Sequence, residues 1–121
     1  MREIKFRALS GENGEWEYFY LFNETDVRKL SERIQKGWIK GLSQFTSLLD
    51  KNGREIYEGD IVRFKLLTTA EDEGVFQIKW DEKVAGYWLE NIEGVWQLKE
   101  YKDNAEIEIV GNIYQHQELL K

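Results

Sequence analysis

From residue 42 almost to its end, the chain runs only a few apolar residues at a time before turn chemistry interrupts it. The stretches 61–67, 74–80, 86–91, 95–99 and 105–110 are short and rich in aromatic or β-branched residues. Such runs are too brief for buried helices and suit strands, whose side chains alternate between two faces. Successive short strands at this spacing point to a small barrel or sandwich rather than a doubly wound sheet.

Two turns lie inside one stretch, QFTSLLDKNGREIYEGDIVRF, residues 44–64. In Asp50-Lys51-Asn52-Gly53 the Asp side chain can bond its own backbone, and Asn-Gly accepts left-handed angles cheaply. Glu58-Gly59-Asp60 is a second turn that feeds directly into Ile61-Val62-Arg63-Phe64, with Tyr57 placed to close one end of a core.

The N-terminal part is organised differently. Residues 3–8 alternate, with Ile4, Phe6 and Ala8 on one face and Glu3, Lys5 and Arg7 on the other. Asn13-Gly14 can form a hairpin turn into an aromatic strand at 15–22. Residues 23–41 read as the one helix, capped by Asn23 or Thr25 and ended by Gly37 or Gly41. Val27, Leu30, Ile34 and Trp38 make its apolar stripe.

A chain of 121 residues with 41% hydrophobic and 14% aromatic content fits a single domain over 1–121. It has no proline, and without cysteine it can form neither disulfides nor thiolate metal sites. No apolar run approaches the ~20 residues of a membrane helix, so the expected place is the cytoplasm. The net charge of −6 disfavours nucleic acid as a default partner. The charge is uneven, however: residues 26–40 carry five cations and two anions, whereas 67–108 carry four lysines and eleven acids. Residues 68–73, TTAEDE, read as a polar, mobile loop.

No motif of catalysis stands out. Glu55, Glu58 and Asp60 match no calcium-loop spacing and read as a solvated turn, so no metal is expected. His116, the single histidine, has no nucleophile pattern beside it and reads as a surface residue. There is no phosphate-loop glycine pattern and no cofactor is implied; an enzyme is not expected. Two binding readings remain. Trp80, Trp88 and Trp96 are candidates for a protein-contact patch, since aromatic residues concentrate at interface centres. Trp88 and Trp96 would face each other across a hairpin at 91–94. The partner would be another protein or a second copy, drawn by the basic helix and the acidic β half. Alternatively, Arg28, Lys29, Arg33, Lys36 and Lys40, with Arg2, Lys5 and Arg7, would bind nucleic acid, with Trp16, Tyr18 and Tyr20 for stacking.

Three segments, REIKFRA (2–8), QFTSLLDKNGREIYEGDIV (44–62) and EIVGNIYQHQELL (108–120), resemble in order and spacing the YopX family. They cover about a third of the chain. Ser47 stands where the family usually has Gly, and Gln117 where Pro is common. The resemblance implies a phage- or prophage-encoded protein, mainly β, with an SH3-like barrel, an N-terminal hairpin and one amphipathic helix. It implies no activity, because the family has no established one.

Overall fold

The computed structural model describes residues 3–66, 73–83, 85–97 and 105–120. Arg2, the segment 98–104 and the acidic loop, apart from Glu73, lie outside the described residues. The chain is mainly β, and its described residues form two antiparallel sheets and a single α-helix. It divides into two compact units, Met1–Ser47 and Leu48–Lys121.

In the first unit β1 (Lys5–Ser10) lies between β2 (Trp16–Tyr20) and β3 (Ile39–Leu49). The expected hairpin forms: Gly14 takes φ +71°, and the Ser10 amide donates to the Glu15 carbonyl at 2.9 Å. Helix α1 (Glu24–Gln35) begins at Asn23, whose Oδ1 accepts the Asp26 amide at 3.0 Å, so Thr25 lies inside the helix and does not cap it. It ends at Gly37, φ +69°, with the Trp38 amide donating back to the Arg33 carbonyl, the left-handed exit that glycine makes without strain. Trp38 therefore falls beyond the helix, and Lys40 belongs to β3.

β3 runs past the division at Ser47, and β4 (Glu55–Tyr57) follows it in the chain. The second unit continues with β5 (Asp60–Leu66), β6 (Glu73–Asp81), β7 (Gly86–Asn91), β8 (Gly94–Gln97) and β9 (Ala105–Asn112), then a closing 3₁₀ turn, Gln117–Leu120. These last five strands form a sheet in the order β8-β7-β6-β5-β9, with β8 and β9 at its edges, so this sheet does not close on itself as a barrel. One face carries the core: Val62, Phe64, Ile78, Leu89 and Ile107, joined by Ile56. Burying each such side chain contributes roughly 1.5–3 kcal/mol. Phe76 packs edge-on against Phe64 and Trp96, at centroid distances of 5.8 and 5.2 Å.

The two turns of residues 44–64 are held by buried carboxylates. Asp50 Oδ1 accepts the amides of Asn52 and Arg54, both at 2.9 Å, while Gly53 takes φ +80°. Asp60 Oδ2 accepts the Tyr57 amide at 2.7 Å across Gly59, φ +89°. Tyr57 is buried, as its position before the turn implied.

Candidate functional site

Strand register decides where the three tryptophans go. Trp80 is opposite Tyr87, Leu89 opposite Trp96, and Trp88 opposite Gln97. Opposed residues share a face and sequence neighbours do not. Trp80 and Trp96 therefore lie on the core face, and Trp88 lies on the other. The expectation that Trp88 and Trp96 face each other fails by one residue of register. Trp80 is 42% exposed and packs edge-on against Tyr87 at 5.0 Å. Trp96 is half-buried against Phe76, and Trp88 is half-buried with its Nε1 shielded and without a hydrogen-bond partner among the described residues.

The cations of the nucleic-acid reading are largely engaged within the chain. Arg33 forms a two-pronged pair with Glu17, at 2.6 and 3.0 Å. Arg28 pairs with Glu24 at 3.5 Å, and Lys36 with Glu32 at 3.3 Å while lying 4.7 Å from the Trp38 ring centre. Lys29 and Lys40 are exposed. Lys5 and Arg7 were expected on an outward face. Instead, Lys5 lies over the rings of Tyr20 and Tyr18 at 4.8 and 5.6 Å, and Arg7 over Trp16 at 4.0 Å. Arg7 also donates to Ser43 Oγ at 3.0 Å. The β2 aromatics that would stack bases thus already hold these two cations.

A different surface emerges in the first unit. No residue of α1 is buried, although its sequence is amphipathic. Val27 is 39% exposed, Ile34 49% and Phe22, just before the helix, 71%. Val27, Leu30 and Ile34 line an apolar groove with Phe6, Phe19 and Leu21. Of the thirteen exposed large apolar side chains among the described residues, eight belong to this unit. The stripe was legible in the sequence; its incomplete cover was not.

Beside the helix exit lies a cleft of ≈ 630 Å³ between the β1–β2 turn and residues 33–39. Its walls include Trp16 and Trp38, the Arg33–Glu17 pair, and the exposed Glu12 and Glu15.

Of the three acidic residues singled out for metal chemistry, two hold groups of their own chain. Glu55 accepts the Tyr57 hydroxyl at 3.0 Å, and Asp60 holds its turn. Among the described residues no group of three or more histidines or carboxylates is arranged to hold a metal ion. Burial raises the pKa of Glu58. Asp50 shows the opposite balance: burial pushes its pKa up, but the amides of Arg54, Ile109 and Asn52 and the Arg54 charge outweigh it and hold the carboxyl below its ordinary value. His116 is half-buried rather than a free surface residue. Its Nδ1 accepts the Asn112 amide at 3.1 Å, and its ring packs on Gly111. No helix among the described residues is long and apolar enough to cross a membrane.

Compared with known proteins, residues 5–121 match the family model described as YopX protein, a span that takes in both units. No curated protein matches the chain.

Proposed function

We propose, for a chain that belongs to the YopX family, a non-enzymatic protein-interaction module acting in the cytoplasm of a phage-infected or lysogenic cell. The observation that carries this reading is the apolar side of α1 left in water. Singly exposed apolar residues are ordinary, but a contiguous group marks a contact surface. Val27 and Ile34 lie one above the other on the helix, over the apolar groove, with Phe22 at the helix start. Covering them recovers roughly 25 cal/mol for each Å² withdrawn from water. Trp80, exposed beside Tyr87, offers a smaller apolar surface in the second unit. The partner is another protein or a second copy of the chain.

The engaged cations weigh against nucleic acid, and the experiment includes that arm. Tagged wild type and a Val27→Asp/Ile34→Asp variant are used to capture partners from host lysate, with and without nuclease. Light scattering after size exclusion gives the subunit number. The expected result is a stoichiometric protein, or a dimer, that survives nuclease and is lost in the variant while its unfolding transition stays cooperative. Capture abolished by nuclease, or equal in variant and wild type, sinks the reading. Loss with Trp80→Ala instead would move the contact to the second unit.

A further inference from the structure

The sequence holds two Asn-Gly steps, and both asparagines, Asn13 and Asn52, are exposed at turns. Asparagine is a thermally labile residue. It is most labile before glycine, which has no side chain to shield its amide nitrogen from the neighbouring carboxamide. At both steps that amide is engaged within its turn. Gly14 donates to the Ser10 carbonyl at 3.1 Å and Gly53 to the Asp50 carbonyl at 3.0 Å. The carboxamides differ. Asn13 Oδ1 accepts the Glu15 amide at 3.0 Å, which holds that side chain in place. Asn52 bonds Asp50 through its backbone amide, and its carboxamide has no hydrogen-bond partner among the described residues. The outside of this turn is also open, since a Cβ on Gly53 would meet nothing within 4 Å.

Charge separates the two steps further. The attacking group is the deprotonated glycine amide, and like charges nearby disfavour an anion. Asn13-Gly14 lies between Glu12 and Glu15, both exposed and neither ion-paired among the described residues. Around Asn52-Gly53 the charges cancel in pairs, Arg54 with Asp50 and Lys51 with Glu108, each at 3.5 Å.

We propose that Asn52-Gly53 is a self-modification site, the step at which this folded chain first loses ammonia. The proposal is independent of the interaction surface on α1. A base takes the Gly53 amide proton, and the nitrogen attacks Asn52 Cγ. A carbon–nitrogen bond forms, the side-chain nitrogen leaves as ammonia with a proton from water, and a five-membered imide remains. Water then adds to one of the two imide carbonyls and breaks one carbon–nitrogen bond. The products are aspartate and isoaspartate; one water is consumed, one ammonia released, and nothing is oxidised or reduced. Isoaspartate carries the backbone through the former side chain and so adds one methylene to the turn. Asp50 Oδ1 holds the amides of Asn52 and Arg54, and its Oδ2 holds that of Ile109. The added atom moves the Arg54 amide off its acceptor, so the modified turn holds β9 less firmly. Ring closure also requires the bond from Gly53 to the Asp50 carbonyl to open, which ties its rate to opening of this turn.

The test ages the full chain in neutral and mildly alkaline buffer, with and without denaturing urea. Acidic digestion and electron-transfer mass spectrometry then locate aspartate and isoaspartate at each position. In the folded chain, product at 52 should exceed product at 13 by at least about threefold, the least expected from removing two like charges beside an anion. It should form faster at the higher pH. Asp50→Ala, which loosens the turn, should speed the change at 52 and leave 13 as it was. Glu12→Gln/Glu15→Gln, which leaves the Asp50 turn intact, should raise product at 13 alone. The modified fraction, separated by ion exchange, should unfold at lower urea than the unmodified chain. Product at 13 level with or ahead of 52 would overturn the proposal. So would a folded chain that stays unmodified at 52 over the period in which the urea-unfolded chain converts. Equal unfolding midpoints for modified and unmodified chain would overturn the claimed loosening of the turn.

Discussion

The carboxylate of Asp50 accepts the backbone amide of Ile109, a residue fifty-nine positions further along, at 3.1 Å. The same side chain organises its own turn through Asn52 and Arg54. One buried group thus fixes a local reversal and ties it to β9. The neighbouring Lys51 amide adds a second tie, donating to the Ile107 carbonyl at 2.8 Å.

Replacing Asp50 by Ala should cost about 2–3 kcal/mol, since hydrogen bonds to a charged group contribute roughly 1.5–3 kcal/mol and the amides would be left unsatisfied. Urea unfolding checks this. The pH dependence follows from the lowered pKa. The unfolded chain takes up the proton first, so the contribution is full above the ordinary value of 3.8 and is lost as pH falls through the folded value. The destabilisation seen in Asp50→Asn should shrink with falling pH across that window; a constant difference would refute the linkage.

Glu58 carries the opposite sign. Its pKa is raised above 4.5 by burial, so the ionised form costs stability at neutral pH. Glu58→Gln should raise the melting temperature at pH 7 by up to about 4 °C. The gain should vanish as pH falls below 4.5, where both states of the wild type are protonated. Paired thermal scans at pH 7 and pH 4 decide it.

Ser47 has φ +72°, a left-handed angle that costs a side-chain-bearing residue roughly 1–2 kcal/mol. Ser47→Gly removes that strain but adds unfolded-state freedom of about 0.5–1 kcal/mol. The net should be a gain of about 0.5 kcal/mol, visible as a small rise in the denaturation midpoint. A loss would show that the hydroxyl contributes more than the angle costs.

Gly59 cannot be replaced in this way. At φ +89° a Cβ would lie 3.3 Å from the Tyr114 ring and 3.4 Å from Ile113. Gly59→Val, β-branched and strained at this angle, should cost about 2–4 kcal/mol by denaturant unfolding. Gly59→Ala should cost less. Unchanged unfolding in the Val variant would mean that the turn relaxes without penalty.

Gln117 opens the final 3₁₀ turn. The first position of a helix tolerates proline, whose missing donor is not needed there. Gln117→Pro should be neutral or stabilising by up to about 1 kcal/mol. A clear loss of cooperativity in thermal unfolding would contradict this.

What the sequence determined by itself was local. Asn13-Gly14, Asp50 to Gly53 and Gly59-Asp60 are turns whose angles and side-chain bonds are settled within four or five residues, and the structure places them as read. The capped helix and the short β runs are legible for the same reason, because periodicity is a property of neighbours. Tertiary structure decided what depends on distant pairing. A single residue of register sends Trp88 and Trp96 to opposite faces. Lys5 and Arg7 lie against aromatic rings because β2 pairs alongside β1 and supplies Tyr20, Tyr18 and Trp16 opposite or next to them. The exposure of Val27 and Ile34 follows from how little of the first unit covers α1. Register and burial are long-range quantities, set by which strands meet, and a residue's type constrains them only loosely.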